Sequence, residues 1–108
     1  MTQTSSSVVV TAIFHPREGA SEALIKAMRH TIPLVHEEEG CELYAINEEP
    51  DGTIVMIEKW ATAELLDAHG AGAIVADFNA AIADLLASPV RVTRLRAIPI
   101  GDSTKGAL

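Results

Sequence analysis

The sequence has one cysteine, few aromatic residues and no long apolar run. Because Cys41 has no partner within the chain, no intramolecular disulfide can form, and we expect a cytoplasmic protein. Aromatic residues are only 4% of the chain, so few rings are available to stack on a large polycyclic ligand. No apolar stretch reaches the roughly 18 residues typical of a membrane span, and the first residues lack a signal-peptide core. We therefore expect neither export nor membrane insertion.

Positive charge and cofactor motifs are also scarce. Eight Lys and Arg stand against fifteen Asp and Glu, which gives a net charge of -7. A surface of that sign repels phosphate backbones and anionic lipids, so we expect no nucleic acid and no membrane partner. The sequence has no CxxC, HxxxH or calcium-loop pattern, and no G-x-G-x-x-G after a strand. We expect no metal site and no flavin or nicotinamide cofactor.

What is present is an apolar fraction of 48% in 108 residues, enough for one hydrophobic core. We expect one folded domain over residues 8–100, between a flexible segment at 1–7 and a flexible tail at 101–108. The β-branched run Val8 to Phe14 predicts a strand that is buried on both faces. Apolar residues at helical spacing predict a helix over residues 20–36, with a kink or an early end near Thr31 because of Pro33.

The rest of the chain predicts three more strands and a broken helix. The strands are expected at residues 41–47, 53–60 and 90–98, and the first two of these should form an antiparallel hairpin. Thr62 should begin a short helix, and a longer one should follow a break at Gly70 and Gly72. The order βαββαβ predicts an α+β fold of the ferredoxin-like class, a four-stranded antiparallel sheet with the helices on one face. The other face is apolar as well, which predicts a homodimer through the sheet faces.

Several short motifs of this chain resemble those of one family. They are E-x-G-C-x-x-Y (Glu38, Gly40, Cys41, Tyr44), E-x-W (Glu58, Trp60), Leu65 or Leu66 with His69, and Ser88-Pro89-Val90. In their order and spacing they resemble the antibiotic biosynthesis monooxygenase family of dimeric α/β barrels, over roughly residues 8–100. The resemblance implies the same fold and a sheet-to-sheet dimer. It also implies oxidation of a hydroquinone or phenol by molecular oxygen without metal, flavin or haem.

Three residues are the candidates for catalysis. Glu58 and Trp60 share one face of their strand, where Trp60 could stack a flat substrate and donate its indole N–H, or simply close the core. Glu58 could be a base near a substrate hydroxyl, or half of a structural pair. His69 could be the acid and base, or could cap a short helix before Gly70.

Other side chains complete the expected site. Tyr44, Met56 and Phe78 are the candidates for contact with substrate. The arginines of the last strand, Arg91, Arg94 and Arg96, could hold an anionic substrate or form interchain salt bridges. Cys41 is expected to be a small core residue rather than a nucleophile, and the acidic run Glu37, Glu38, Glu39 is expected to be a solvated helix end.

The leading hypothesis is a cofactor-independent monooxygenase whose partners are a small aromatic substrate and dioxygen. A non-catalytic dimeric module that binds a small ligand is the alternative. Haem breakdown is a third reading, but the haem-degrading branch of the family places an asparagine on the first strand. Val8 to Phe14 contains none.

Overall fold

The helices and strands follow one another in the order that the sequence predicts. The computed structural model describes residues 7–108, so the expected flexible segment at 1–7 lies outside the described residues except for Ser7. The elements are β1 (Val8–Phe14), α1 (Ser21–His36), β2 (Cys41–Glu48), β3 (Ile54–Trp60), α2 (Ala63–Gly70), α3 (Ala73–Ile82), a 3₁₀ turn (Ala83–Leu85) and β4 (Arg91–Leu95).

The four strands form one antiparallel sheet in the order β2-β3-β1-β4. The central strand β1 places Val10 opposite Glu58 on one side and Arg94 on the other. Since successive strand residues alternate between faces, these three side chains belong to the same face of the sheet. The predicted ferredoxin-like α+β fold is confirmed.

The hydrophobic core lies between one face of the sheet and the helices. Val10, Ala12 and Phe14 of β1 pack there with Leu24 and Met28 of α1. The opposite face of β1 carries Val9, Thr11 and Ile13, together with their neighbours on the adjacent strands. The sheet therefore has one face covered by helices and one face without them.

The first helix continues through its proline. The expected early end near Thr31 is wrong, because α1 runs to His36. Pro33 removes the backbone N–H that the carbonyl of Arg29 would otherwise accept from. Both residues are on the exposed side of the helix, where water can hydrate that carbonyl, while Val35 beyond the proline is buried in the core.

The second helical region is divided as expected. The Thr62 hydroxyl accepts the N–H of Leu65 at 3.1 Å and so caps the start of α2. The chain leaves α2 at Gly70 and begins α3 at Ala73. Within residues 7–108, no helix has the length and apolar character needed to cross a membrane.

The last strand is shorter than the predicted 90–98. Strand β4 ends at Leu95, which pairs with Val9 near the beginning of β1, so the following residues have almost no partner strand left. All five residues of β4 are exposed at the edge of the sheet. In residues 101–108 the chain makes a turn in which the Asp102 carboxylate accepts the N–H groups of Thr104 and Lys105.

Candidate active site

A cavity of about 270 Å³ lies between the helix-covered face of the sheet and helices α2 and α3. Its walls are largely apolar. Five of the six predicted site residues line this cavity, namely Tyr44, Met56, Glu58, His69 and Phe78. Two further polar side chains also line it: Arg94, one of the arginines considered for an anionic substrate, and Asn79, which the sequence did not assign to the site.

The sixth predicted residue, Trp60, stands behind the cavity wall. It is fully buried, and its Nε1–H donates to Oε1 of Glu58 at 2.9 Å. The alternation along β3 explains the contact, because Glu58 and Trp60 are two residues apart and point to the same face. The indole N–H that could have served a substrate therefore holds the carboxyl group instead.

Glu58 presents a buried carboxyl group to the cavity, with 5% of its surface exposed. Burial raises the pKa of Glu58, and the N–H of Trp60 and the charge of His69 oppose that rise. Oε2 of Glu58 makes no hydrogen bond to residues 7–108. Every fully enclosed side-chain N or O atom in that range has a hydrogen-bond partner, so Oε2 is not fully enclosed. Oε2 is therefore accessible from the cavity and can accept from, or donate to, a ligand hydroxyl.

His69 lies in the last turn of α2, 7% exposed, and its ring is held between two aromatic side chains. The ring centroid lies 4.5 Å from that of Trp60 and 5.5 Å from that of Tyr44. Instead of capping the end of α2, the His69 side chain hydrogen-bonds to Glu38, with Nδ1 at 3.1 Å from each carboxylate oxygen. The imidazole is thus part of the cavity wall with one nitrogen already engaged.

Glu38 is the residue that sequence reasoning missed. Of the acidic run expected to be solvated, Glu37 and Glu39 are exposed, whereas the side chain of Glu38 is only 23% exposed and contacts His69. The available signal was its place in the E-x-G-C motif, three residues before Cys41.

Tyr44 and Phe78 supply aromatic walls at different ends of the cavity. Tyr44 is 6% exposed, packs edge-on against Trp60, and burial raises the pKa of its phenol well above the ordinary value. Phe78 packs edge-on against Phe14. Both rings present apolar surface to a ligand while their positions are fixed by neighbouring side chains.

The remaining candidates lie elsewhere or have other partners. Burial, reinforced by the charge of Glu38, raises the pKa of the Cys41 thiol, which disfavours a nucleophilic role. Arg94 donates to Asp67 of the same chain at 2.6 Å. In the part of the chain that the structure describes, no group of three His, Cys, Asp or Glu side chains could hold a metal ion.

Fold and site together define a ferredoxin-like domain with a buried carboxyl group and a buried imidazole on the wall of a small apolar cavity. The profile of the family described as antibiotic biosynthesis monooxygenase matches residues 7–81. Rv0793 of Mycobacterium tuberculosis, named as a candidate monooxygenase, is 34% identical over 92 residues, which cover 84% of this chain and 91% of that protein. This chain belongs to the antibiotic biosynthesis monooxygenase family, as its motifs indicated.

Solved structures agree with this assignment. The structure of Rv0793 superposes with a TM-score of 0.79 at 32% identity, covering 91% of this chain and 99% of that one. SO0527 of Shewanella oneidensis gives a TM-score of 0.74 at 28% identity, covering 85% and 93%. PA3566 of Pseudomonas aeruginosa, at 22% identity, shares the fold with a TM-score of 0.80, covering 90% and 99%.

Proposed function

We propose that this chain is a monooxygenase that oxidises a small hydroquinone or phenol with molecular oxygen and needs no resident metal or organic cofactor. The observation that carries the proposal is the presence of Glu58 and His69 together on the wall of one apolar cavity. Such a pair can bind and deprotonate a phenolic hydroxyl. Membership of the family supports the oxygenase class.

The size of the cavity favours a small substrate. An apolar cavity of about 150 Å³ suffices to hold benzene, and this one measures about 270 Å³. That volume accommodates one or two fused rings but not a large polycycle. Tyr44, Met56 and Phe78 would contact the ring, and Trp60 would support the carboxyl group from behind.

The first chemical step is removal of the phenolic proton. In this proposal the imidazole of His69 accepts the proton, while Oε2 of Glu58 hydrogen-bonds to a second oxygen of the substrate. Because the cavity is apolar, the phenolate has little water around it and its electrons are more available. The protein thus contributes orientation, desolvation and a proton acceptor.

Oxygen then reacts with electrons that come from the substrate. The phenolate gives one electron to dioxygen, and the resulting phenoxyl radical and superoxide combine at a ring carbon that bears hydrogen. Loss of that C–H proton and cleavage of the O–O bond leave one oxygen atom on carbon as a carbonyl. The other oxygen atom takes two protons and leaves as water, so the ring loses four electrons and dioxygen gains four.

Oxygen uptake tests this proposal directly. The protein is mixed with small hydroquinones and phenols in the presence of chelator, and spontaneous oxidation is subtracted. We expect saturable uptake, and we expect His69→Ala to reduce kcat by about 10²–10⁴-fold, the usual contribution of a general base. His30→Ala is the matched control, because His30 is exposed and lines a different groove, between α1 and α3.

The outcomes separate oxidation from simple binding. Uptake by the wild type that His69→Ala removes and His30→Ala preserves supports the proposal. Absence of uptake with every substrate contradicts it and favours the ligand-binding module. In that case the same cavity would still bind phenols, which isothermal titration calorimetry would detect.

We also propose that the protein forms a homodimer through the sheet face that carries no helix. Apart from the buried Val9, the side chains on that face are partly or fully exposed, and many of them are apolar. A monomer would leave this surface in water, whereas packing against a second copy would bury it. The apolar side chains involved are Val9, Ile13, Leu43, Ala45, Val55, Ile57 and Leu95.

A further inference from the structure

We propose that Glu38 is a positioning residue that keeps the proton of His69 on Nδ1, so that Nε2 is the atom that accepts the proton of the substrate. This inference rests on the proposed function, because it assigns an atom to the base of that reaction. It adds to the site a residue that lies outside the cavity and acts through His69.

The contact between the two side chains defines which nitrogen carries the proton. Nδ1 of His69 lies 3.1 Å from both Oε1 and Oε2 of Glu38. A carboxylate has only acceptor atoms, so Nδ1–H must be the donor in this contact. A neutral imidazole has a single N–H, which leaves Nε2 of His69 with a free lone pair.

Nε2 is the nitrogen that faces the cavity. Nε2 makes no hydrogen bond to residues 7–108. Every fully enclosed side-chain N or O atom in that range has a hydrogen-bond partner, so Nε2 is not fully enclosed. Nε2 therefore has accessible surface. Because His69 is 7% exposed overall and lines the cavity, that surface opens toward the place where a ligand would lie.

The turn between α1 and β2 brings Glu38 to this position. Gly40 has a φ of +87°, and a Cβ atom there would lie 2.6 Å from Cδ1 of Leu65. Only glycine lets the turn lie this close to α2. Leu65 and His69 are four residues apart and occupy the same side of α2, so a turn that touches Leu65 also reaches His69. The E-x-G spacing thus places a carboxylate beside the imidazole.

Packing around His69 prevents a flip of the imidazole ring, which would exchange the positions of Nδ1 and Nε2. Trp60 covers the imidazole with an interplanar angle of 32°, and Tyr44 contacts it edge-on at 73°. A ring flip would break the bonds from Nδ1 to Glu38 and place the Nδ1–H toward the cavity. Glu38 therefore fixes the orientation of the base.

The tautomer can be measured without any substrate. In protein labelled with ¹⁵N-histidine, two-bond ¹H–¹⁵N correlations at alkaline pH show which ring nitrogen carries the proton, and His69→Ala identifies the signals. We expect the wild type and Glu39→Ala to have the Nδ1–H form and Glu38→Ala to lose this preference. Glu39 is the matched control because it is the exposed neighbour in the same acidic run.

A second variant guards against misfolding. Glu38→Met keeps a side chain of similar length but removes the carboxylate, and it should lose the preference in the same way. A wild-type protein in the Nε2–H form would overturn the inference, as would variants of Glu38 that retain Nδ1–H.

Kinetics supply the functional half of the test. Glu38→Ala should lower kcat for phenol oxidation by about tenfold or more, a part of the roughly 10²–10⁴-fold that a general base contributes. KM should change little, since Glu38 does not touch the ligand, and Glu39→Ala should leave both constants unchanged. Equal losses in both variants would overturn the positioning role. If the wild type oxidises nothing, the proposed function fails, while the tautomer measurement still decides the role of Glu38 toward His69.

Discussion

Glu58 places an ionisable carboxyl group on an apolar wall, and folding stability should depend on its charge. Burial raises the pKa of Glu58 in the folded protein. At acidic pH the carboxyl is protonated in both states and its contribution is fully present. As the pH rises from the ordinary glutamate pKa through the raised pKa of the folded state, the unfolded chain releases its proton more readily than the folded one. The free energy of unfolding therefore falls over this interval. Above the pKa of the folded state, this loss of unfolding free energy is complete and no longer changes with pH.

Replacement of Glu58 by glutamine should remove this pH dependence. Glutamine keeps an oxygen that can accept the N–H of Trp60 but has no proton to lose. Across that pH interval, we expect the free energy of unfolding of Glu58→Gln to rise relative to that of the wild type, as measured by urea denaturation. Glu64→Gln is the control, because Glu64 is exposed on α2. Parallel pH profiles for Glu58→Gln and the wild type would show that burial does not perturb this carboxyl.

At the same scale, the sequence predicts some site residues much better than others. Glu58 was recognisable because a carboxylate within an apolar strand needs a partner, and His69 because it follows Trp60 of the E-x-W motif by nine residues, on the next helix. Glu38 was not, because its partner is 31 residues away and the E-x-G-C motif does not show which element its first residue contacts. Only the path of the turn decides which residue of the acidic run faces α2.

Among the elements, the turn of Gly40 controls how β2 and α2 meet. Gly40→Ala combines strain at positive φ with a Cβ contact of 2.6 Å to Leu65. Gly19 is the matched control, because its φ of +81° is similar but nothing lies within 4 Å of its Cβ position. Gly19→Ala should cost about 1–2 kcal/mol from the left-handed backbone alone. Gly40→Ala should cost about 1–3 kcal/mol more from overpacking.

Chemical denaturation measures both variants, and a double variant separates the two causes. Leu65→Ala in the Gly40→Ala background should restore part of the loss, because the clash is with the Leu65 side chain. Equal costs for the two glycine variants would mean that the turn moves away from α2 without penalty.

Element boundaries were predictable where a local residue determines them. Thr62 caps α2 and the glycines at 70 and 72 separate it from α3, so both features follow from neighbouring residues. The end of β4 depends instead on a strand distant in sequence, because Leu95 is already opposite Val9. Passage of α1 through Pro33 depends on exposure of that side of the helix, which no local pattern gives.

For the whole molecule, the helix-free face of the sheet is the interface of the proposed dimer. Thr11 lies at its centre, between Ile57 of β3 and Thr93 of β4. We expect sedimentation equilibrium to give twice the chain mass of 11.5 kDa for the wild type. Thr11→Arg should give the single-chain mass, because two copies would bring like charges together in an apolar interface.

Ala23→Arg provides the control for this substitution. Ala23 is exposed on α1, on the opposite layer of the molecule, so this variant should remain a dimer. A wild type that sediments as a monomer, or a Thr11→Arg variant that stays dimeric, would contradict assembly through the sheet.

Four linked side chains of the site come from one short stretch of chain, and this affects the entropic cost of bringing them together. Glu38, Glu58, Trp60 and His69 all belong to β2, β3, α2 and the turn that precedes them. Loop-closure entropy grows with loop length, so contacts within this stretch close at a lower entropic cost than the pairing of β1 with β4. The contact between Glu38 and His69 thus depends on a shorter loop than the pairing of the two terminal strands that complete the cavity.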